Sequence, residues 1–542
     1  MKTKILIIVL FAILFAVPLI LRRPAEKIDT TADQLVIITA NSESIRYETE
    51  QAFRKYYEER TGRKVSIDWR TLGGTSEITR YLNSTFIANF QHEWATVQGH
   101  DWNEEIAVNF LSPKIKEGDA AWAARQGFLN SDVGVGIDLF FGGGQYDHNK
   151  CARAGMFVPA GVRERHPEWF EGETPVLTEG MGGEIWYDRD DCYYGGCFSA
   201  FGICYNRDRL ADCGFAVDDG EVVTTWRDLA DPRLFGAVGL ADPSKSGSIN
   251  KCFEMLIQRE MQDCWQACVD RLAAGELTEA EVLDMGWRQA MTLVKQLGGN
   301  SAYLTFSASG VPVDTASGQI AAGMCIDFYG RSQAEWEASH VGRRTMEFVM
   351  PAGATTVSAD PIGIFRGAPN RERAEMFVDF ILSPEGQKLW IFRAGAPGGP
   401  IKYELHRLPV RRDFYTPENR RHMTAPEADP FAQAGSFTYQ GAWTAPLFDL
   451  MRTLIRVMII DCDEEVRDAW RAILANNQQG EDTPAMAEFA RLPFEHHQSG
   501  EISRELWTTE GQARLTREWL LFFREHYAEA ARLAREAGGR RE

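Results

Sequence analysis

The chain has 542 residues, which predicts two or more lobes because single hydrophobic cores stop growing at roughly 250–300 residues. Hydrophobic residues make up 44% of the chain and charged residues 25%, a balance that excludes a disordered or fibrous protein. The net charge of −19 repels phosphate backbones, so nucleic acid is not an expected partner.

The first residues predict a membrane-targeting segment over residues 1–25. The cationic leader MKTK precedes an uncharged apolar run of 17 residues, Ile5 to Leu21. This run is near the short limit for spanning about 30 Å of hydrocarbon. No A-x-A cleavage pattern follows it, and both a signal anchor and a cleaved signal peptide remain open. In either case we expect the rest of the chain to be periplasmic or extracytoplasmic, anchored to the inner (cytoplasmic) membrane by this segment.

An extracytoplasmic location would allow the ten cysteines to form disulfides. The nearest candidates are Cys192 and Cys197 in CYYGGC, where two glycines offer a tight return of the chain. Spacing alone leaves other pairings open, among them Cys204 with Cys213.

The next elements alternate between strand and helix. QLVIITA (34–40) predicts a strand, and the apolar spacing that follows predicts a helix ending at Gly62. KVSIDWRT and GGTSEITRYLNSTF predict a second strand and helix. The order favours a parallel sheet covered by helices. A polar and aromatic insertion at about 87–130 interrupts the pattern, and GVGIDLFF (134–141) restores a strand.

Alternation continues through the middle of the chain and stops near residue 405. FSAFGICYNRDRL (198–210) predicts a long strand that passes into a helix, and residues 224–257 predict helix, strand and helix. From about 405 to 542 the apolar spacing predicts helices with no strand between them. The expected fold is therefore α/β with an α-helical C-terminal extension.

Three turns between strand and helix are candidate anion sites, because free N–H groups and the helix dipole favour negative charge there. They contain Thr75 and Ser76, then Gly142, Gly143 and Gly144, and finally Ser246, Gly247 and Ser248. Ordinary capping of a helix by serine or threonine, which is commoner across proteins, is the alternative for the turns with Thr75 and Ser76 and with Ser246 and Ser248. None of the three has the spacing of a nucleotide-binding loop.

A fourth strand end, CIDFYGR, places Asp327, Tyr329 and Arg331 near the same edge of the sheet. These residues would add a carboxylate, a hydroxyl and a positive charge to a cleft. Asp327 as a satisfied turn carboxylate and Tyr329 as a core phenol are the alternatives. The histidines form no H-E-x-x-H pair and no G-x-S-x-G elbow is present, so we predict no catalytic residue, metal site or cofactor.

Several stretches, taken in order, resemble the type II solute-binding proteins of ABC importers. The resemblance is to the branch that includes ferric-ion, phosphosugar, phosphonate and polyamine binders. The stretches are RTGRKVSIDW, GGTSEI, DLFFGGG, FGICYNRDRL, TTWRDLADPRLFGAVGLADPSKSGS, ASGQIAAGMCIDFYG and DPIGIFRGAPNRERAEMFVDFILSPEGQKLW. The resemblance implies two α/β lobes closing by hinge motion about strands near 201–205 and 359–364. It divides the chain into lobe 1 at 33–200, lobe 2 at 206–350, a return to lobe 1 at 360–400 and the helical extension at 405–542.

The resemblance also implies a ligand. Ser246 to Ser248 match the turn that holds a synergistic anion in the ferric-ion binders, but three of the four metal ligands of those proteins have no counterpart. Phe328 occupies the position of one of their two tyrosine ligands, and a glycine of 142–144 occupies the position of their carboxylate ligand. Arg46 lies near the position of their histidine ligand. Ser44, Arg46 and Asp360 complete the expected cleft, with Arg46 or Arg331 as the countercharge.

We therefore expect a monomer that captures a small anionic solute, phosphorylated or carboxylated, for delivery to the membrane permease of an ABC importer. Ferric-ion binding with a synergistic anion is one alternative. A ligand-sensing module whose C-terminal helices bind a signalling partner is a second, and a hydrolase using the histidines of the insertion is a third.

Overall fold

A computed structural model describes residues 32–539 of the chain, except residues 306, 481 and 507. The predicted membrane-targeting segment therefore lies outside the described residues. Within them, every helix is too short or too polar to cross a membrane.

Twelve strands form the described sheets. In chain order they are β1 Asp33–Thr39, β2 Val65–Arg70, β3 Leu139–Phe141, β4 Phe157–Val158, β5 Gly180–Met181, β6 Glu184–Ile185, β7 Tyr193–Asn206, β8 Val238–Ala241, β9 Ser301–Thr305, β10 Ala322–Ile326, β11 Met346–Val349 and β12 Val357–Phe365.

The described α-helices are, in chain order, α1 Glu43–Thr61, α2 Thr75–Gln91, α3 Glu104–Asn109, α4 Trp122–Leu129, α5 Gln145–Ala154, α6 Val162–Arg165, α7 Arg207–Asp212, α8 Gly247–Ala267, α9 Val269–Ala273, α10 Glu279–Gly299, α11 Gly310–Ala316, α12 Asp327–Val341, α13 Arg371–Leu382, α14 Pro384–Ile391, α15 Pro417–Arg420, α16 Pro430–Gly435, α17 Gly441–Thr444, α18 Phe448–Ile455, α19 Asp463–Ala475, α20 Pro484–Phe489, α21 Ser499–Glu505 and α22 Thr509–Gly539. Short 3₁₀ or π turns lie at His92–Val97, Pro167–Trp169, Val217–Asp219, Trp226–Ala230, Pro232–Leu234, Arg412–Phe414, Ala445–Leu447, Arg456–Ile460 and His496–Gln498.

One continuous path of strands runs β2-β1-β3-β12-β7-β10-β8-β9, and β7 belongs to two halves of it. The first part of β7 pairs antiparallel with β12, up to Ala200, and the next residues, from Phe201 on, pair antiparallel with β10. The strands β1, β2 and β3 are parallel, as are β8, β9 and β10. Strand β7 therefore carries the chain from one lobe to the other.

The buried side chains form separate cores in the two lobes. Lobe 1 contains Leu35, Ile37 and Phe377 in one cluster, and lobe 2 contains Val238 and Trp287 in another. Because β1 lies between two neighbouring strands and under helices, its residues on both faces are buried, which explains the nearly unbroken apolar run VIIT. The prediction of two α/β lobes with a helical C-terminal part is confirmed.

The chain crosses between the lobes three times. It enters lobe 2 within β7, and it returns to lobe 1 between Ala354 and Val357, since these two residues belong to different cores. The third crossing lies between Ala434, in the core of lobe 1, and Phe437, in the core of lobe 2. The C-terminal helices are therefore part of both lobes, because residues 405–434 pack in one core and 437–534 in the other.

The insertion at about 87–130 folds against lobe 1 around a cluster of aromatic rings. Phe90 stacks on Phe110 with ring centroids 4.9 Å apart, and Phe128 meets both rings edge to face. This cluster continues to Phe365 of β12 through Phe86. The insertion, which is rich in polar residues, thus has an apolar face that the sequence pattern did not reveal.

The predicted disulfide between Cys192 and Cys197 is wrong. The segment CYYGGC does not turn back but enters strand β7, so the two cysteines lie five residues apart along extended backbone. At about 3.3 Å per residue their separation is about 16 Å, whereas a disulfide needs Cα atoms within about 7 Å. All ten cysteines are free thiols.

Candidate functional site between the lobes

Two of the predicted turns lie side by side at the edge of lobe 1. Residues 73–76 open helix α2 after β2, and residues 142–145 open helix α5 after β3. A Cβ atom on Gly143 would lie 2.9 Å from Cγ2 of Thr75, so these two turns, which we call the α2 turn and the α5 turn, are in direct contact.

Position 142 requires a glycine because of its close packing and its backbone conformation. Its φ is +80°, and a Cβ atom there would lie 2.5 Å from Nδ2 of Asn41. Its N–H donates to the carbonyl of Pro361 at 2.8 Å. Gly142 therefore shapes the α5 turn, but its N–H is already used within the sheet.

The third predicted turn, residues 246–248, opens helix α8 of lobe 2, and we call it the α8 turn. Ser246 Oγ accepts a hydrogen bond from the N–H of Ile249 at 3.3 Å and lies 3.1 Å from Ser248 Oγ. A Cβ atom on Gly247 would meet nothing within 4 Å, so the turn faces open space at this residue. Serine capping and an open edge at the start of the helix coexist here.

The α2 turn of lobe 1 touches the residue that precedes the α8 turn of lobe 2. A Cβ atom on Gly74, at the start of α2, would lie 3.3 Å from the carbonyl oxygen of Lys245. Helices α2 and α5 of lobe 1 and α8 of lobe 2 thus direct their N-terminal ends toward one region, where their dipoles add a positive potential.

Helix α18 of the C-terminal extension contacts the α2 turn and the first residues of helices α5 and α8, which sequence reasoning did not predict. Arg452 Nη1 donates to Ser76 Oγ at 2.7 Å, and Tyr146 OH donates to Asp449 Oδ2 at 3.0 Å. In lobe 2, Asn250 Nδ2 donates to the carbonyl of Phe448 at 2.9 Å. The available signal was the charged pair Asp449 and Arg452, three residues apart on an otherwise apolar helix.

A buried carboxylate lies beneath α18 in the first turn of helix α5. Asp147 Oδ1 accepts a hydrogen bond from Thr79 Oγ1 at 3.3 Å. Burial raises the pKa of Asp147 to about 6, although the positive charge of Arg452 opposes this shift. The region therefore contains a carboxyl group that titrates near neutral pH.

Asp360 is paired within the protein rather than exposed to the cleft. Arg407, from the residues after the return to lobe 1, forms a buried ion pair with it, and Ser199 Oγ donates to Asp360 Oδ1 at 3.2 Å. The guanidinium of Arg407 lies 3.9 Å from the ring centroid of Phe328. Coulombic attraction to Asp360 raises the pKa of Arg407 against the opposing effect of burial.

Asp327 and its neighbours lie deeper than the cleft prediction requires. Asp327 is fully buried, Arg331 Nη2 lies 3.8 Å from Asp327 Oδ2, and burial raises the pKa of the carboxyl group. Burial also raises the pKa of Tyr329, whose side chain is mostly covered. Asp327 therefore lies buried at the start of α12 with Arg331 as its ion-pair partner, and neither of its carboxylate oxygens has a hydrogen-bond partner among the described residues.

Arg331 lines a separate cavity of about 280 Å³. The cavity lies between helix α12 and residues 406–433, and His406, with φ of +52°, forms part of its wall. None of the residues that line this cavity belongs to the α2, α5 or α8 turn.

Ser44 and Arg46 make only local contacts in the first turns of α1. Ser44 Oγ lies 2.8 Å from Ser42 Oγ, and Arg46 Nη1 donates to the carbonyl of Asn41 at 3.2 Å. Since Asn41 packs on Gly142, this turn adjoins the α5 turn. The structure thus brings together the predicted residues of the α2, α5 and α8 turns, with Ser44 and Arg46 beside the α5 turn, whereas Asp360 is paired with Arg407 and Asp327 is fully buried.

Metal ligands are not clustered in the part of the chain that the structure describes. No three side chains of His, Cys, Asp or Glu there lie close enough together to hold a metal ion.

Comparison with known sequences finds one family and one relative. Residues 157–400 match the sequence model of the bacterial extracellular solute-binding protein family. An uncharacterised protein of Haemophilus influenzae is 26% identical over 254 residues, which are 46% of this chain and 60% of the relative. The chain therefore spans less than two thirds of the length of this relative.

Two solved structures are similar over most of their length. The periplasmic binding protein AfuA of Actinobacillus pleuropneumoniae, with fructose-6-phosphate bound, is 18% identical, covers 66% of this chain and 81% of its own, and has a TM-score of 0.40. Iron-bound HitA of Pseudomonas aeruginosa is 13% identical, covers 78% of this chain and 99% of its own, and has a TM-score of 0.46. The ligands are properties of those two proteins.

Proposed function

Residues 157–400 belong to the bacterial extracellular solute-binding protein family, and from this premise we propose that the chain captures a small anionic solute between its two lobes. The solute is a phosphorylated or carboxylated organic molecule, and the chain delivers it to the permease of an ABC importer. No covalent bond is made or broken. The site is extracytoplasmic, in keeping with the family description.

One observation supports the proposal that the solute is an anion. The N-terminal ends of α2 and α5 in lobe 1 meet the N-terminal end of α8 in lobe 2, with Gly74 next to Lys245 at the point of contact. Three helix dipoles and the N–H groups of three turns then surround one region. Such a region lowers the free energy of a negative charge more than that of a neutral group.

The position of the turns supports a binding role rather than catalysis. All three follow the carboxyl ends of parallel strands, where open α/β sheets bind ligands. Strand β7, residues 354–357 and residues 434–437 connect the lobes, and we propose that the lobes open and close about these connections.

A thermal-shift experiment tests the proposal on the purified full-length chain. The panel contains a hexose phosphate, a phosphonate, a dicarboxylate, a polyamine, and ferric ion with phosphate. A ligand that binds only the folded form at a hundredfold excess over its Kd stabilises it by about 2.7 kcal/mol. We expect a higher Tm with one or more of the organic anions.

Two results would contradict the proposal in different ways. Stabilisation by ferric ion with phosphate, but by no organic anion, would replace the proposed solute with a metal ion. An unchanged Tm with every member of the panel would argue against solute capture itself and would favour a role in binding a protein partner.

A further inference from the structure

We propose that Arg452 of helix α18 is a solute-contacting residue, which binds the anionic group of the solute at the α2 turn and thereby makes the C-terminal extension part of the binding site. The inference rests on the proposed function, because it names a residue of the same site. It assigns a binding role to a part of the chain outside residues 157–400, the stretch that matches the family.

Arg452 is held at the α2 turn but is only partly paired. Its residue surface is 9% exposed, and Nη1 donates to Ser76 Oγ at 2.7 Å. Its Nε and Nη2 atoms are buried and find no hydrogen-bond partner among the described residues. Buried guanidinium N–H groups without an acceptor are costly and uncommon, so an acceptor from outside the chain is expected.

The nearest carboxylate does not satisfy this need. Asp449 Oδ1 lies 3.6 Å from Nε of Arg452, beyond hydrogen-bond distance. The other oxygen of Asp449 accepts from Tyr146 OH at 3.0 Å and lies 3.7 Å from Nζ of Lys150. Asp449 is therefore oriented toward helix α5, and Nη2 of Arg452 remains available.

The charges around Arg452 are of both signs. Two positive side chains, Arg452 and Lys150, face the carboxyl groups of Asp449 and Asp147, and a third carboxylate, Glu77, lies at the α2 turn, where a Cβ atom on Gly74 would be 3.2 Å from its Oε2. Burial raises the pKa of Asp147 to about 6, which favours its neutral form in weakly acidic solution. The dipoles of α2 and α5 add to the positive side of this balance.

The chemistry of this arrangement indicates a phosphate or carboxylate group. The guanidinium of Arg452 provides N–H groups in a planar fork, and the first N–H groups of α2, next to Ser76, provide further donors. Planar oxyanions bind arginine through two parallel hydrogen bonds, and such charge-assisted bonds are among the strongest in proteins. Arg452 is thus placed to select an anionic solute over a neutral one.

The experiment compares three variants of the full-length chain. Arg452→Met keeps most of the aliphatic stem and removes the charge, whereas Arg452→Lys keeps the charge and removes the planar fork. Arg456→Met is the matched control, because Arg456 follows one turn later in the chain and its Nε lies 3.6 Å from Asp461. The probes are inorganic phosphate, with chloride at equal ionic strength as reference, and the organic anion that stabilises the wild-type chain most.

We expect Arg452→Met to weaken the apparent Kd for these anions by at least about tenfold, the loss of one or more charge-assisted hydrogen bonds. Arg452→Lys should show an intermediate loss and Arg456→Met none. Without an anion the Tm of Arg452→Met should stay at or above that of the wild type, because the substitution removes a buried charged group with two nitrogen atoms that lack a hydrogen-bond partner among the described residues.

A purely structural Arg452 would give the opposite pattern, a lower Tm without anion and an undiminished anion effect, and this would overturn the inference while leaving the proposed function intact. Stabilisation by inorganic phosphate that depends on Arg452, with no effect of any organic anion, would support Arg452 and overturn the proposed solute class. The absence of any anion effect on the wild-type chain would overturn both.

Discussion

At the level of single residues, the two serines of the α8 turn differ in their contacts, although the sequence gives them the same two possible roles, helix capping and solute binding. Ser246 caps helix α8 by accepting from the N–H of Ile249, whereas Ser248 follows the open Gly247 and is not needed for the cap. Capping therefore explains Ser246, whereas Ser248, whose Oγ lies 3.1 Å from Ser246 Oγ, is the serine that we propose to contact the solute.

Ser248→Asp tests this separation. A carboxylate near the start of a helix interacts favourably with the helix dipole, so we expect an unchanged or higher Tm without solute. The same negative charge repels an anionic solute, so the solute-dependent rise in Tm should be lost. Thermal unfolding with and without the stabilising anion measures both effects. Ser84→Asp, on the exposed surface of α2, is the control, and an equal loss of binding there would argue against the site.

Asp147 gives the region a pH dependence with a defined sign. Its pKa is raised from about 4 to about 6 because it is buried, so between these values the folded chain binds more protons than the unfolded chain. The contribution of Asp147 to stability is therefore present below pH 4 and is lost as the pH rises through about 6.

Asp147→Asn should remove this contribution. One pKa unit corresponds to about 1.4 kcal/mol, so the free energy of unfolding of the wild type should fall by up to about 3 kcal/mol more than that of the variant between pH 4 and pH 7. Urea unfolding at several pH values measures the difference. Asp101→Asn in the exposed part of the insertion should behave like the wild type, and parallel curves for wild type and Asp147→Asn would contradict the prediction.

At the level of elements, a single carboxylate of helix α1 binds the backbone of residues 401–403, which follow the return of the chain to lobe 1. Glu48 is fully buried and accepts hydrogen bonds from the N–H groups of Ile401, Lys402 and Tyr403 at 2.6, 2.7 and 2.7 Å. These three bonds position the segment that leads to Arg407 and its ion pair with Asp360. A side chain of α1 thus determines where the residues after 400 cross the lobe.

Glu48→Gln should destabilise the chain, because the amide loses the negative charge and its NH₂ group faces backbone donors. Hydrogen bonds to charged groups contribute about 1.5–3 kcal/mol each, and we expect a loss of about 2–4 kcal/mol in the free energy of unfolding, measured in urea. Glu58→Gln, exposed on the same helix, should change it by less than about 0.5 kcal/mol. Equal stabilities of the two variants would show that the segment is held by other contacts.

At the level of the whole molecule, the C-terminal helices complete the core of lobe 2. Leu450, Leu454, Val457 and Phe523 are fully buried and pack in the same core as Val238 and Trp287. The extension is therefore not an appended domain, since lobe 2 would expose its core without it.

A chain ending after Gly435 should fail to fold in lobe 2. Each large apolar side chain that loses its partners forfeits about 1.5–3 kcal/mol, and several such losses exceed the usual total stability of about 5–15 kcal/mol. Circular dichroism and limited proteolysis of the truncated chain should show an unfolded lobe 2. Removal of residues 540–542 alone should leave the Tm unchanged. A truncated chain with a cooperative transition at the wild-type Tm would refute this prediction.

The alternation of elements and the turn chemistry were readable in the sequence because they depend on local rules. The strands of lobe 1, helix α1 ending at Gly62 with φ of +68°, and the serine cap of α8 follow from periodicity and from residues within one turn. The resemblance to solute-binding proteins, carried by ordered local motifs, is confirmed by the family match over 157–400. The prediction of a Cys192–Cys197 disulfide was wrong because CYYGGC has the glycines typical of a turn but runs into the extended strand β7.

The sequence by itself determined the α/β class, the position of three turns between a strand and a helix, and the helical C-terminal part, because each depends on neighbours along the chain. Only the tertiary structure decided which turns meet, that Asp327 and Asp360 are paired inside the protein, and that Arg452 lies against Ser76. Those contacts join residues separated by up to 376 positions, and their geometry depends on how two cores pack around a shared strand rather than on local preference.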